Sequence, residues 1–353
     1  MANICRDLHR RCMPLSGWPE IDQRLWSGAI SLGNVLGDAG VAANWRSGTL
    51  ARVIQSYGRF LTFLEVSGRL FPNKSPDQRI DRELVIAYVQ FLQRDCAPVT
   101  VHGYVLNLER ALHAMIPDLD LGWLRRIIGR LGTQTTPSRN KRKRVIAVER
   151  LLETGLLMMT RADSEKGLTS EKRAVLFRDG FMVAFLSQRP IRRRSFVGLR
   201  IGRQVQRLSD EFVLRLEADD TKNHRPYEAP LPRILTSFLD RYLEVHRPIL
   251  LGDRTHDFLW VTRSGTPLAD SSFYIRLRKV TERELGIPIN PHLFRDCAMT
   301  SVAIDDPVHI RIMQPLLGHS TMATSEQHYN QATAIDAGRQ YQAMIERRRR
   351  RRS

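Results

Sequence analysis

His292 and Arg295 stand three apart in the run Asn-Pro-His-Leu-Phe-Arg that begins at Asn290. Further along, Leu316, Leu317, Gly318, His319 and Ser320 follow one another, and Tyr329 lies ten residues past His319. A tyrosine nucleophile, two histidines and converging arginines are what an in-line attack on a phosphodiester needs. A phenol ionises near pH ~10, so it attacks phosphorus only beside positive charge or a base. A tyrosyl link to phosphate stores the energy of the broken bond, so resealing needs no ATP. Each residue also has a plain structural reading. Tyr329 is one of eight tyrosines, most of which pack in cores. His292 and Arg295 could be a surface imidazole and a salt-bridged guanidinium, and His319 a capping or core histidine.

One cation leaves the charge of a pentavalent phosphorane half balanced, and a second arginine is required. The candidate cluster runs Gln188-Arg189-Pro190-Ile191-Arg192-Arg193-Arg194-Ser195-Phe196-Val197-Gly198-Leu199. The residues by themselves leave Arg192, Arg193 and Arg194 open. Lys222 sits in a turn, Asp220 to Arg225, ahead of Pro230-Leu231-Pro232. Turn lysines are ordinarily solvated.

In order and spacing this set resembles the tyrosine recombinase (phage integrase) family. The resemblance spans about residues 46 to 345 and is motif-specific from 189 to 332. It implies that Tyr329 attacks the scissile phosphate, forming a 3′-phosphotyrosyl link and releasing a 5′ hydroxyl. In the family an arginine stands seven residues before a buried leucine that ends its helix. Counting back from Leu199 gives Arg192, which leaves Arg193 and Arg194 as DNA-backbone or surface residues. The family commonly has Thr-Gly-Leu before this arginine and Glu three after it, where this chain has Arg189-Pro190-Ile191 and Ser195. The family's hairpin lysine, which protonates the leaving 5′ oxygen, corresponds to Lys222. Arg192, Arg295 and His319 would then balance charge on the phosphate, and His292 would assist the proton of Tyr329. The resemblance implies no cofactor and no metal. It implies double-stranded DNA with specific recombination sites as partner, a homotetramer on paired sites, and an accessory directionality protein. Two alternatives share the residues: a type IB topoisomerase acting alone, and an inactive relative that only binds DNA.

The bulk composition fits a polyanionic partner. Lysine and arginine total 55 against 37 acids, a net charge of +18 in 353 residues, which attracts nucleic acid. Arginine's planar fork suits bidentate phosphate contact. With 42% hydrophobic residues the chain can build globular cores. No apolar run approaches the ~20 residues of a membrane span, and the polar, basic start has no apolar signal core. Cys5, Cys12, Cys96 and Cys297 are scattered, as in a reducing compartment. Cys5, His9 and Cys12 could be half a zinc site, but no second ligand pair follows nearby. The expected location is the cytoplasm of a bacterium, associated with the nucleoid.

The elements that must position these residues follow from periodicity. Residues 1–45 form an arm or small helical extension, with Trp18, Trp26 and Trp45 packing on something. Residues 46–131 form an all-α core-binding domain: Leu50, Val53, Ile54, Tyr57, Phe60, Leu61 and Leu64 make one helix face, and further helices span Glu83–Leu92, Val99–His113 and Gly122–Leu131. Residues 132–144, rich in Gly, Pro, Thr and Ser, make a linker whose Arg139, Lys141, Arg142, Lys143 and Arg144 would lie along DNA phosphates. Residues 145–332 form the catalytic domain, mainly α with a small β-sheet (α+β). Its helices span Val145–Thr160, Glu171–Leu186 and Ile234–Val245. Phe212, Leu214 and Leu216 alternate on a strand, with a returning strand after the turn and more strand at Phe258–Val261. Asp270 and Ser271 cap another helix that stops at Gly286, and Asn290 and Pro291 open the one carrying His292 and Arg295. Residues 333–353 form a tail helix, with a stripe of Ala334, Ala337, Tyr341, Met344 and Ile345, and a six-arginine end, Arg347 to Arg352.

Overall fold

The computed structural model of the chain describes residues 11–33, 37–135, 144–222 and 224–305. The chain divides into two compact units, Met1–Arg139 and Asn140–Ser353.

The first unit is all helical: α1 (Glu20–Ile30), α2 (Ser47–Val66), α3 (Arg82–Gln93), α4 (Pro98–Met115) and α5 (Gly122–Thr133). Asp81 caps α3, its Oδ1 accepting from Leu84 N at 2.7 Å, and Pro98 opens α4 where its missing N–H costs nothing. The 46–131 pattern therefore yields the four helices expected of it. Met13, Trp18, Trp26, Ala29 and Ala42 pack into the same core as those helices. Trp18 sets its ring edge against Tyr57, 4.8 Å between centroids. The Asp22 carboxylate, fully buried, accepts from the Tyr57 hydroxyl at 2.8 Å and pairs with the buried Arg79. Met13 N donates to Gly58 O at 3.0 Å. A Cβ on Gly58 would stand 2.1 Å from Met13 O, so only glycine allows this approach.

The second unit is mostly helical and carries a three-stranded antiparallel sheet of order β1-β2-β3. Its elements are α6 (Val148–Ser164), α7 (Ser170–Gln188), α8 (Arg193–Val197), β1 (Val205–Leu208), β2 (Glu211–Leu216), β3 (Tyr227–Pro230), α9 (Arg233–Arg241), α10 (Arg247–Leu251), α11 (Asp270–Leu285) and α12 (Pro291–Asp305). Helix α7 is the axis. From Phe177 to Ser187 every residue is buried, the mark of a helix enclosed on all sides. Gly155 of α6 and Gly180 of α7 let the two backbones meet: a Cβ on Gly155 would lie 2.6 Å from Gly180 O. The fully buried Asp179 accepts from Arg178 and, at 2.7 Å, from Arg276, tying α7 to α11.

Three local expectations are corrected, and one element is added. The helix from Ile234 does not run straight to Val245; it gives way at Tyr242 to a π-helical turn, Tyr242–His246, followed by Pro248 in α10. Pro248 lacks the N–H that would continue the regular ladder. Phe258–Val261 makes only isolated bridges, Arg200 with Phe258 and Val261 with Pro267. Strand β1 was not foreseen; Leu208 at its end is exposed, which blunts the alternation. Finally, α11 is preceded by Ala269 without a side-chain cap, and Asp270 is its first residue, its Oδ2 pairing with Arg193 at 2.6 Å. Its stop at Gly286 is as expected, with φ 72°. Among the described residues, no helix is long and apolar enough to cross a membrane.

Candidate active site

Helix α12 delivers the first pair. Asn290 Oδ1 accepts from Leu293 N at 3.0 Å, and Pro291 is the first helical residue, so the start of the helix is set as the sequence indicated. Leu293, Phe294 and Cys297 drive one side of the helix into the core. His292, in the first turn, is exposed, while Arg295 one turn on is only 6% exposed. Arg295 Nη1 donates to Pro190 O at 2.6 Å.

Pro190 belongs to the turn that leaves α7 and leads into α8. Arg189 closes the end of α7 by donating from Nε and Nη2 to Pro230 O, at 3.1 and 2.6 Å. Arg192 is the N-cap residue of α8. Phe196 holds α8 down: its ring stacks on Trp260 and Phe273, 4.6 and 4.8 Å between centroids. Its carbonyl accepts from Trp260 Nε1 at 2.8 Å. Leu199 is fully buried, although the helix itself ends at Val197.

This geometry sets Arg192 beside Arg295. Burial pushes the Arg295 guanidinium down to about 10, and the positive charge of Arg192 pushes the same way. Arg193 instead turns to α11, pairing with Asp270 at 2.6 Å and lying over the Tyr274 ring at 5.5 Å. Arg194 is exposed. Arg144, expected along DNA, donates to the Pro288 carbonyl and so fastens the start of this unit near α12. Arg139, Lys141, Arg142, Lys143, His319, Tyr329 and the 333–353 tail lie outside the described residues.

Lys222 stands exposed on the β2–β3 connection. The connection is held at its base. Thr221 Oγ1 accepts from Arg225 N at 3.1 Å and donates to Arg225 O at 2.8 Å. Ser195 Oγ donates to Asp220 O at 2.7 Å, and Gln204 Nε2 donates to Asp220 Oδ2 at 3.1 Å. Ser195 lies three residues after Arg192, so one short helix steers both the arginine and the lysine's loop.

No family model matches the chain. Tyrosine recombinase XerD of Listeria innocua is 24% identical over 291 residues, covering 79% of this chain and 88% of that protein. Tyrosine recombinase XerC of Pseudomonas fluorescens is 25% identical over 263 residues, 66% of this chain and 86% of that one. Among solved structures, the XerH site-specific recombinase bound to difH substrate in a pre-cleavage complex matches with a TM-score of 0.56 at 15% identity, covering 80% of this chain and 76% of that one. Its post-cleavage complex matches with a TM-score of 0.54 at 15% identity, covering 80% and 75%. Over most of its length the chain is similar to tyrosine recombinases. Its fold is that of the solved XerH recombinase, a helical unit followed by a mainly helical unit with a small sheet.

Within that family frame, three residues escaped the sequence reading. Ser195 and Gln204 hold the lysine's loop, a role visible only once Asp220 is seen between them. Tyr227, paired with Leu216 across β2 and β3, is half-buried beside Arg189 and Arg295. The inward alternation of Tyr227 and Ala229 with Glu228 outside was the available signal.

Proposed function

We propose that the chain is a site-specific recombinase that cuts and rejoins double-stranded DNA at recombination sites through a 3′-phosphotyrosyl intermediate on Tyr329. The observation that carries this reading is the setting of Arg295, buried beside the like charge of Arg192. Burying one guanidinium beside another is unfavourable; Asp296 offsets less than Arg192 costs, and an anion bound beside them offsets more. A phosphodiester is such an anion, and its charge rises as a fifth oxygen bonds to phosphorus.

In this reading Tyr329 Oη attacks phosphorus as the bond to the 5′ oxygen breaks. Arg192, Arg295 and His319 balance charge on the non-bridging oxygens. His292 takes the phenolic proton, and Lys222 gives one to the leaving 5′ oxygen. A 5′ hydroxyl from a partner duplex then attacks the phosphotyrosine, releasing the tyrosine without net hydrolysis. Strand exchange between two sites calls for four copies, with the 333–353 tail passed between neighbours and an accessory protein setting direction. The linker cations and the six terminal arginines would neutralise further phosphates, so affinity would fall steeply with salt.

The test starts with duplexes selected by the full chain from a random pool. A selected duplex nicked beside the cleavage point should trap the chain as a covalent adduct on denaturing gels. Tyr329→Phe should bind that duplex equally and form no adduct. An undiminished adduct with phenylalanine at 329 would remove this tyrosine from the reaction, and relaxation of supercoiled DNA without exchange between two sites would favour a topoisomerase.

A further inference from the structure

We propose that Tyr227 is a further catalytic residue, whose phenolic hydroxyl donates a hydrogen bond to a non-bridging oxygen of the phosphate held by Arg192 and Arg295. The inference rests on the recombinase reading above and adds a donor to it.

Three observations lead there. First, Tyr227 Oη is shut off from solvent and has no hydrogen-bond partner. A buried hydroxyl without a partner is costly, and a phenylalanine would fill the same space without that cost. Second, the strand that carries it is fastened to the site. Arg189 grips Pro230 O at the other end of β3, and Leu216 lies opposite Tyr227 in the sheet. Third, the charged groups that face the phenol are Arg189 and Arg295. Guanidinium groups have N–H donors and no acceptor. They can serve the oxygen's lone pairs but cannot receive its proton. Neither guanidinium offers an acceptor, and a phosphate oxygen drawn in beside Arg295 would supply one.

Burial also raises the phenol's ionisation, and it outweighs the two arginines. Tyr227 thus stays protonated through the neutral range and is a donor, in contrast to the role of nucleophile given to Tyr329. A neutral donor in a dry site helps most where charge grows during the reaction, which is on the non-bridging oxygens.

The full chain and its Tyr227→Phe variant would be compared in single-turnover cleavage of the nicked, selected duplex. Three forms of the duplex are needed: the ordinary phosphodiester, and the Rp and Sp methylphosphonates at the scissile position, each with one non-bridging oxygen replaced by methyl. On the phosphodiester, Tyr227→Phe should cleave on the order of 10²-fold more slowly, with duplex binding and melting temperature unchanged. On the diastereomer lacking the contacted oxygen, the two proteins should cleave alike, and on the other the gap should persist. Equal slowing on all three substrates would mean a structural role and overturn the proposal, as would wild-type rates throughout. An adduct mapped to Tyr227 itself would make it a nucleophile and overturn the donor role. A wild-type adduct with an unaffected variant sinks this contact alone, whereas no adduct from the wild type on any nicked duplex sinks the recombinase reading and this contact together.

Discussion

Arg295 Nη1 donates a 2.6 Å hydrogen bond to the carbonyl of Pro190, two residues ahead of Arg192. This bond joins α12 to the turn leaving α7, across 105 positions of sequence. It holds the Arg295 guanidinium at the turn that leads to Arg192. The like-charge pair is thus a product of the frame: Phe196 and Trp260 hold one side, and Leu293, Phe294 and Cys297 hold the other.

We predict that Arg192→Ala and Arg295→Ala each slow adduct formation by about 10²–10³-fold, the usual loss when one preorganised donor is removed. Arg193→Ala should cost far less. It breaks a half-exposed pair with Asp270, and exposed pairs are worth about 1 kcal/mol or less. Cleavage kinetics on a nicked duplex would decide; an active Arg192→Ala beside a dead Arg193→Ala would refute the assignment.

Lys222→Ala should lose cleavage of ordinary DNA but recover it on a duplex whose leaving 5′ oxygen is replaced by sulfur. A thiolate leaves without being protonated, so it needs no general acid. Ser195→Ala, which frees Asp220 and the loop base, should show a smaller loss with the same recovery. If sulfur restores neither variant, Lys222 does not act at the leaving group.

A third prediction concerns acid stability. His246 is fully buried, stacks on Phe177 at 4.0 Å and bonds Asp163 through Nε2 at 3.1 Å. Burial lowers its ionisation below the ordinary imidazole value of 6.5, outweighing the pull of Asp163. The folded state then binds fewer protons than the unfolded chain just below pH 6.5, so stability present above 6.5 declines as the pH falls toward the folded value. His246→Phe should keep the stacking and flatten this acid limb of melting temperature against pH. A limb of unchanged slope would place the acid sensitivity elsewhere.

Asp22→Ala should destabilise the first unit by about 3–5 kcal/mol, because Arg79 is left buried without its carboxylate. Urea unfolding of the full chain, followed by tryptophan fluorescence, would register the loss through Trp18 and Trp26. A change under ~1 kcal/mol would mean that Arg79 finds water on its own.

Local signals in the sequence carried well where one residue's chemistry dictates geometry. Asn290 and Pro291 set the start of α12, Gly286 the end of α11, and Phe212, Leu214 and Leu216 the inward face of β2. Of the site, Arg192, Lys222, His292 and Arg295 were named from spacing and family resemblance, and the structure sets the charge of Arg192 near Arg295. What could not be read was side-chain commitment across long separations. Arg193 with Asp270, Arg144 with Pro288 and Ser195 with Asp220 are pairs that no periodicity announces. Tyr227 was overlooked because its interest lies in a partner it lacks.

The close approach of Met13 to Gly58 bears on anyone who would retarget such an enzyme by exchanging its front half for a relative's. A join at 45/46 would sever Trp18 from Tyr57 and Asp22 from Arg79, leaving two incompatible halves of one core. The exchangeable module begins by residue 11 and runs through Thr133. A hybrid gene should therefore keep this whole stretch from one parent, so that Trp18 stays with Tyr57 and Asp22 with Arg79.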